Sequence, residues 1–101
     1  MFMNKNISIV VPAFNEEKVL TQFYNELKKV LTEIKLKYEI IFIDDGSVDN
    51  TLLILKGLKT DDSNIKIVSF SRNFGKEAAI YAGLKEVSRR YYCYYGFRFA
   101  T

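Results

Sequence analysis

Four consecutive apolar residues, Ile40, Ile41, Phe42 and Ile43, run without a polar break into Asp44, Asp45, Gly46 and Ser47. A strand with one wet face alternates polar and apolar side chains. An unbroken apolar run instead suits a strand covered on both faces, the habit of parallel sheets. Tyr38 to Thr51 therefore reads as a buried strand, an acidic glycine-containing turn and a helix start. Open α/β sheets bind ligands at such turns, outside the carboxyl ends of their strands. Asp and Gly are ordinary turn residues, yet two adjacent carboxylates repel each other, so a bland turn gains little from both.

The rest of the chain repeats this switch from strand-like to helix-like periodicity, the signature of βαβ units. Ile7 to Val11 reads as a first buried strand closed by Pro12, and the turn Ala13, Phe14, Asn15 leads into a helix. Asn15 suits its N-cap, and Glu16 and Glu17 its first turn. Val19, Leu20, Phe23, Leu27, Val30, Leu31 and Ile34 share one stripe of that helix, with Glu26, Lys28, Lys29, Glu33 and Lys35 facing away. After the second strand, Ser47 or Asp49 suits the cap of a helix carrying Leu52, Leu53, Leu55 and Leu58, and Asp61 to Asn64 forms a polar loop. Ile65 to Phe70 supplies a third strand, Ser71 to Gly75 a turn, and about Lys76 to Val87 a third helix. The fold class is α/β, with a βαβαβα plan. Right-handed crossovers give a parallel sheet of strand order 3-2-1.

Composition sets the outer bounds. One domain fits 101 residues, and a 49% apolar share allows a small core. The net charge of +3, without any basic run, gives little support to a nucleic-acid or anionic-lipid partner, but a phosphate-bearing small ligand is compatible. The absence of histidine removes His-based triads and most zinc sites, and the single Cys93 cannot form an internal disulfide, which suits a reducing, cytoplasmic setting. The amino-terminal apolar stretch is too short for a signal peptide, and no run of about 18 apolar residues suggests a membrane helix.

Strand order 3-2-1 brings three polar turns to one sheet edge: Pro12 to Glu17, Asp44 to Asp49, and Ser71 to Glu77. Their convergence is more specific than any one turn. Neither a G-x-G-x-x-G loop nor a lysine-containing P-loop is present, so a nucleotide would need another grip.

The three turns carry a resemblance. V-V-P-A-F-N-E-E at Val10 to Glu17, D-D-G-S-x-D-x-T at Asp44 to Thr51 and S-R-N-F-G-K-E-A-A at Ser71 to Ala79 resemble, in order and spacing, the amino-terminal half of family-two glycosyltransferases of the GT-A fold. The polyprenyl-phosphate sugar transferases, of the dolichol-phosphate mannosyl and bactoprenol glucosyl kinds, are most similar. The resemblance implies a Rossmann-like half of a nucleotide-sugar-binding domain over residues 1–90. Its donor would be a UDP- or GDP-linked sugar and its acceptor a lipid phosphate or other glycan, at the cytoplasmic face of the membrane in the full-length family.

It also implies roles for residues. Asp44 or Asp45 would read the base, accepting from uracil or, bidentately, from guanine. Pro12, Ala13 and Phe14 would line the nucleoside pocket, and Asn15 or Glu17 would reach the ribose. Arg72 and Lys76 bracket Gly75 at a helix start, where cations and free backbone N–H groups favour a phosphate. Each has a plainer reading: capping for Asn15 and Glu16, solvated charge for Arg72 and Lys76. Gly46 and Gly75 suit tight turns, and Phe74 suits the core.

The family pattern continues to an Asp-x-Asp that holds Mg²⁺ or Mn²⁺ against the diphosphate, and this sequence contains none; no cofactor is expected in this chain. The expectation is a glycosyltransferase fragment inactive alone, or else a nucleotide-binding module without catalysis or completed by a partner chain. A phospho-receiver domain fits less well, since its acidic pair follows the first strand. Residues 91–101, six of them aromatic, depart from the family pattern. They read either as the product of a truncation or frameshift, or as a surrogate strand, which aromatic residues favour.

Overall fold

The computed structural model describes residues 6–35, 37–87 and 91–94. Its elements alternate as the periodicity requires: β1 (Asn6–Ala13), α1 (Leu20–Glu33), β2 (Lys37–Asp44), α2 (Thr51–Asp61), β3 (Ile65–Ser69), α3 (Lys76–Lys85) and β4 (Tyr91–Tyr94). All pairings are parallel and the order is β3-β2-β1-β4. The expected order 3-2-1 is thus present, with β4 added beyond β1, Ile7 to Val10 pairing with Tyr91 to Tyr94. The aromatic tail therefore forms a strand over its first four residues; the remainder lies outside the described residues.

The unbroken apolar run of β2 is explained by cover on both faces. Ile40 and Phe42 join Ile9 and Val11 beneath α1 and α2, in a cluster with Leu20, Phe23, Tyr24, Leu27, Leu31, Leu55 and Ile65. Ile41 and Ile43 join Val10 and Ala79 on the α3 face. Close approach there depends on Gly83, where an added Cβ would lie 2.4 Å from Val10 Cγ1 and 2.7 Å from Ile43 Cδ1.

Local readings change in several places. α1 begins at Leu20 with Val19 at its N-cap and no side-chain cap, so Asn15 is not the cap and Glu16 and Glu17 precede the helix. Asn15 instead takes a left-handed φ of 55°, a conformation Asn tolerates because its short polar side chain bonds locally. Val30 and Ile34 are exposed rather than buried, and Tyr24 takes a place in the stripe. Val30 stands roughly 80° from the stripe's centre at about 100° per residue, and Ile34 is already the C-cap. Leu53 is also exposed. β3 stops at Ser69 and α3 at Lys85, short of Phe70 and Val87.

The loop after α2 is less simple than its polarity suggests. Asp62 is buried and accepts hydrogen bonds from Tyr24 Oη at 2.6 Å, Tyr38 Oη at 2.9 Å and the Asn64 N–H at 3.0 Å. It ties α1, β2 and the end of α2 together at the amino-terminal edge of the sheet. On the α3 face, buried Glu39 accepts from the Ser8 hydroxyl and pairs with Lys66 Nζ at 3.1 Å.

Candidate functional site

β1, β2 and β3 end at Ala13, Asp44 and Ser69, so the three polar turns meet at one edge. The backbone joins them first: the Asp45 N–H donates to the Ala13 carbonyl at 2.8 Å, and the Phe70 N–H to the Asp44 carbonyl at 2.9 Å.

Side chains then lace the first turn to the second. The Asn15 N–H donates to Ser47 Oγ at 2.9 Å, and Asn15 Oδ1 accepts the Val48 N–H at 2.9 Å. The Glu16 N–H donates to Thr51 Oγ1 at 2.8 Å and the Glu17 N–H to Asp49 Oδ2 at 3.3 Å, while Glu17 Oε1 accepts the Asn50 N–H at 2.8 Å. Asp49 also accepts both the Thr51 N–H and its hydroxyl, at 2.9 and 2.5 Å. It thus serves the start of α2 from one residue before the N-cap Asn50. Partial burial acts to raise the Asp49 carboxyl, but the Thr51 and Glu17 donors hold it below the usual carboxylate range. Glu16 moves the other way, pushed up by burial and by the charge of Asp49 against a backbone hydrogen bond at Phe14.

The two adjacent aspartates are both buried but differ in what they touch. Asp45 is filled by the third turn: Oδ1 accepts the Phe74 N–H at 2.8 Å, and Oδ2 accepts the Gly75 N–H at 3.0 Å and Asn73 Nδ2 at 3.1 Å. Asp44 Oδ1 accepts the Ser47 N–H at 3.2 Å, and no described residue bonds its second oxygen. Three amide donors solvate one member of the adjacent pair in place of water.

This arrangement corrects one expectation about the α3 start. The Phe74 and Gly75 N–H groups are already occupied by Asp45, so they are not among the free backbone donors expected for a phosphate at this helix start. Arg72 and Lys76 are both exposed, and the Arg72 guanidinium stacks over the Phe74 ring at 4.7 Å from its centroid. Phe74 is exposed rather than in the core, edge-on to Phe70 at 5.5 Å. Gly46 at φ 75° and Gly75 at φ 105° do form the tight turns expected of them. At Gly46 the reason is also steric, because an added Cβ would lie 2.2 Å from the Arg72 carbonyl carbon.

Of the other candidates, Phe14 and Asn15 are exposed, Pro12 and Glu17 half-buried, and Ala13 buried. Sequence reading gave Ser47 or Asp49 the cap of α2, whereas the N-cap is Asn50 and both side chains instead accept from the first turn; the roles of Thr51 and Asn73 it missed. Among the described residues no three His, Cys, Asp or Glu side chains converge as a metal site would require. With both Asp45 oxygens engaged by the third turn and no third ligand beside the pair, the described residues at this edge do not fit a divalent cation by themselves.

Comparisons with known proteins give the family and the fold type. The glycosyl transferase family 2 model matches residues 8–95. CsbB of Bacillus subtilis (strain 168), named as a glycosyltransferase, is 51% identical over 81 residues, 80% of this chain and 25% of that protein. The bactoprenol glucosyl transferase of Shigella phage SfV is 44% identical over 82 residues, 81% of this chain and 26% of that protein. The chain thus spans about a quarter of the length of the curated relatives it matches. S. aureus TarS, solved with UDP, superposes at a TM-score of 0.75 with 27% identity, covering 90% of this chain and 27% of that one. The fold is accordingly of the GT-A type, and a model match over nearly the whole described chain, including all three laced turns, makes it a member of glycosyl transferase family 2.

Proposed function

We propose that this chain is the nucleotide-binding part of an enzyme that transfers a sugar from a nucleoside diphosphate to a polyprenyl phosphate or another glycan acceptor. The observation that carries the reading is Asp44: a buried carboxylate at the carboxyl end of β2 with one oxygen unclaimed by any described residue. Such a group is suited to accept the imino N–H of uracil, or the imino and amino donors of guanine. Pro12 and Phe14 offer apolar surface for the base. The amide nitrogen of Asn15 and the second carboxylate oxygen of Glu17 are suited to ribose hydroxyls. Arg72 and Lys76 bring positive charge for the diphosphate.

The UDP complex of TarS supports a uridine donor, and the relative named for bactoprenol supports a lipid-phosphate acceptor. That acceptor would bring the full-length enzyme to the cytoplasmic face of a membrane; no helix among the described residues is long and apolar enough to cross one. In the family a divalent metal supplies charge against the leaving diphosphate. Since the residues at this edge do not fit that ion, the reading gives this chain binding and orientation of the donor, without turnover alone.

Isothermal titration of the 101-residue chain with UDP, UDP-glucose and GDP-mannose, each with and without Mn²⁺, tests the reading. At least one nucleotide should bind; heats indistinguishable from dilution for every one would overturn it.

A further inference from the structure

We infer that Thr51 and Asp49 are positioning residues for the nucleoside end of the donor site: together they fix the backbone of the first turn at Glu16 and Glu17 against the second turn. The inference deepens the nucleotide-binding reading above and rests on it. Its basis is a relay of hydrogen bonds between residues 35 apart in sequence. The Glu16 N–H donates to Thr51 Oγ1 at 2.8 Å, and the same hydroxyl donates onward to Asp49 Oδ1 at 2.5 Å. Asp49 Oδ2 accepts the next amide of the first turn, the Glu17 N–H, at 3.3 Å. One carboxylate thus governs two consecutive peptides of a turn that belongs to another strand. On its far side the Glu16 carbonyl accepts the Val19 and Leu20 N–H groups at 3.1 and 3.0 Å, so Glu16 is held from both directions.

The other bonds between these two turns, joining Asn15 to Ser47 and Val48 and Glu17 to Asn50, are exposed, where water competes for every donor and acceptor. Thr51 is fully buried. Its hydroxyl therefore works in a low dielectric, and donation to a carboxylate polarises it into a better acceptor for the Glu16 amide. Thr51 also opens α2, whose Leu55 lies in the core, so the anchor sits on a packed element. Being buried, Thr51 is not placed to touch a ligand; it acts through the turn it holds. That turn carries Phe14, Asn15 and Glu17, the residues suited to base and ribose. The third turn, which carries Arg72 and Lys76, is tied to Asp45 instead. The nucleoside and diphosphate ends of the site thus have separate anchors.

The test compares Thr51→Val, Thr51→Ser, Asp49→Asn and wild type, each titrated with uridine, UDP, guanosine and GDP, alongside ¹H–¹⁵N spectra. Valine keeps the shape of threonine but turns a methyl group to the Glu16 N–H. Thr51→Val lowers the affinity for a nucleoside and for its diphosphate by the same factor, about tenfold, so the increment the diphosphate adds is unchanged. It also shifts the Glu16 and Glu17 amide resonances and speeds their hydrogen exchange. Thr51→Ser, which keeps the hydroxyl, recovers affinity to within about threefold of wild type. Asp49→Asn, which cannot accept at both atoms, acts in the same direction as Thr51→Val and carries the test should that variant not fold. A larger loss for the diphosphate than for the nucleoside, a serine variant as weak as the valine one, or unmoved Glu16 and Glu17 amides would overturn the inference. Failure of wild type to bind any of the four would instead sink the nucleotide reading, and the positioning role with it.

Discussion

Tyr24 of α1 donates to the same Asp62 oxygen as Tyr38 of β2, so two hydroxyls from different layers converge on one buried carboxylate. Removing one hydroxyl by Tyr24→Phe loses a charge-assisted hydrogen bond and should lower stability by about 1.5 to 3 kcal/mol. Asp62→Ala should cost more, because it orphans both hydroxyls and the Asn64 N–H. Urea unfolding of the two variants against wild type measures both costs, and a smaller loss for Asp62→Ala would contradict the shared-acceptor arrangement.

The same group makes stability depend on pH at both ends. Burial acts to raise the Asp62 carboxyl, but donors from Tyr24, Asn64 and Tyr38 hold it below the usual range, as Thr51 and Glu17 hold Asp49. A carboxyl with a depressed folded pKa binds fewer protons folded than unfolded. Its stabilisation is complete above the unfolded value of about 3.9 and is lost as pH falls through the folded one. Burial, followed by hydrogen bonding to Asp62, raises both tyrosines. Their contribution is present below about pH 10 and is lost as pH rises through the folded values. The urea midpoint should therefore fall below about pH 4 and again above about pH 10, and Asp62→Asn should flatten both arms. A wild-type midpoint constant from pH 7 down to pH 3 would refute the acid half.

Two helical glycines should respond oppositely to alanine. Gly83→Ala drives a Cβ into Val10 and Ile43, an overpacking cost of about 1 to 3 kcal/mol that outweighs a helix-propensity gain of about 0.8 to 1 kcal/mol. Gly57, in α2, has nothing within 4 Å of the same position, so Gly57→Ala should stabilise by about 0.5 to 1 kcal/mol. Denaturant midpoints moving in the same direction would show that α3 does not pack this closely on β1 and β2.

Asn15 offers a test of the laced turns. At φ 55° its replacement by alanine adds backbone strain and removes the bond to the Val48 N–H, together about 1 to 2 kcal/mol. Asn15→Gly should recover the strain portion and leave the lost hydrogen bond. If the two variants unfold at the same urea concentration, the left-handed turn is not what holds this position.

The periodicity switches and the unbroken Ile40–Ile43 run were enough to give the α/β class, the alternation of elements and the order 3-2-1, because burial on two faces and right-handed crossovers leave few alternatives. The three turns were also legible as neighbours. What the turns do with their side chains was not: a sequence shows Asp44 and Asp45 as equivalent neighbours, and only the fold brings Asn73, Phe74 and Gly75 onto one of them. Asn15 misled for the same kind of reason, since a capping residue and a left-handed turn residue share one composition and are told apart by what lies across the gap, here Ser47 and Val48. Asp62 looked like loop polarity until Tyr24 and Tyr38 met it. Local pattern is set by the chain's own backbone and by which side chains avoid water, so the sequence alone determined the elements and their order. Hydrogen-bond partners far apart in sequence exist only once the elements pack, so the tertiary structure alone decided that Asp45 accepts three donors from the third turn while Asp44 accepts one from its own.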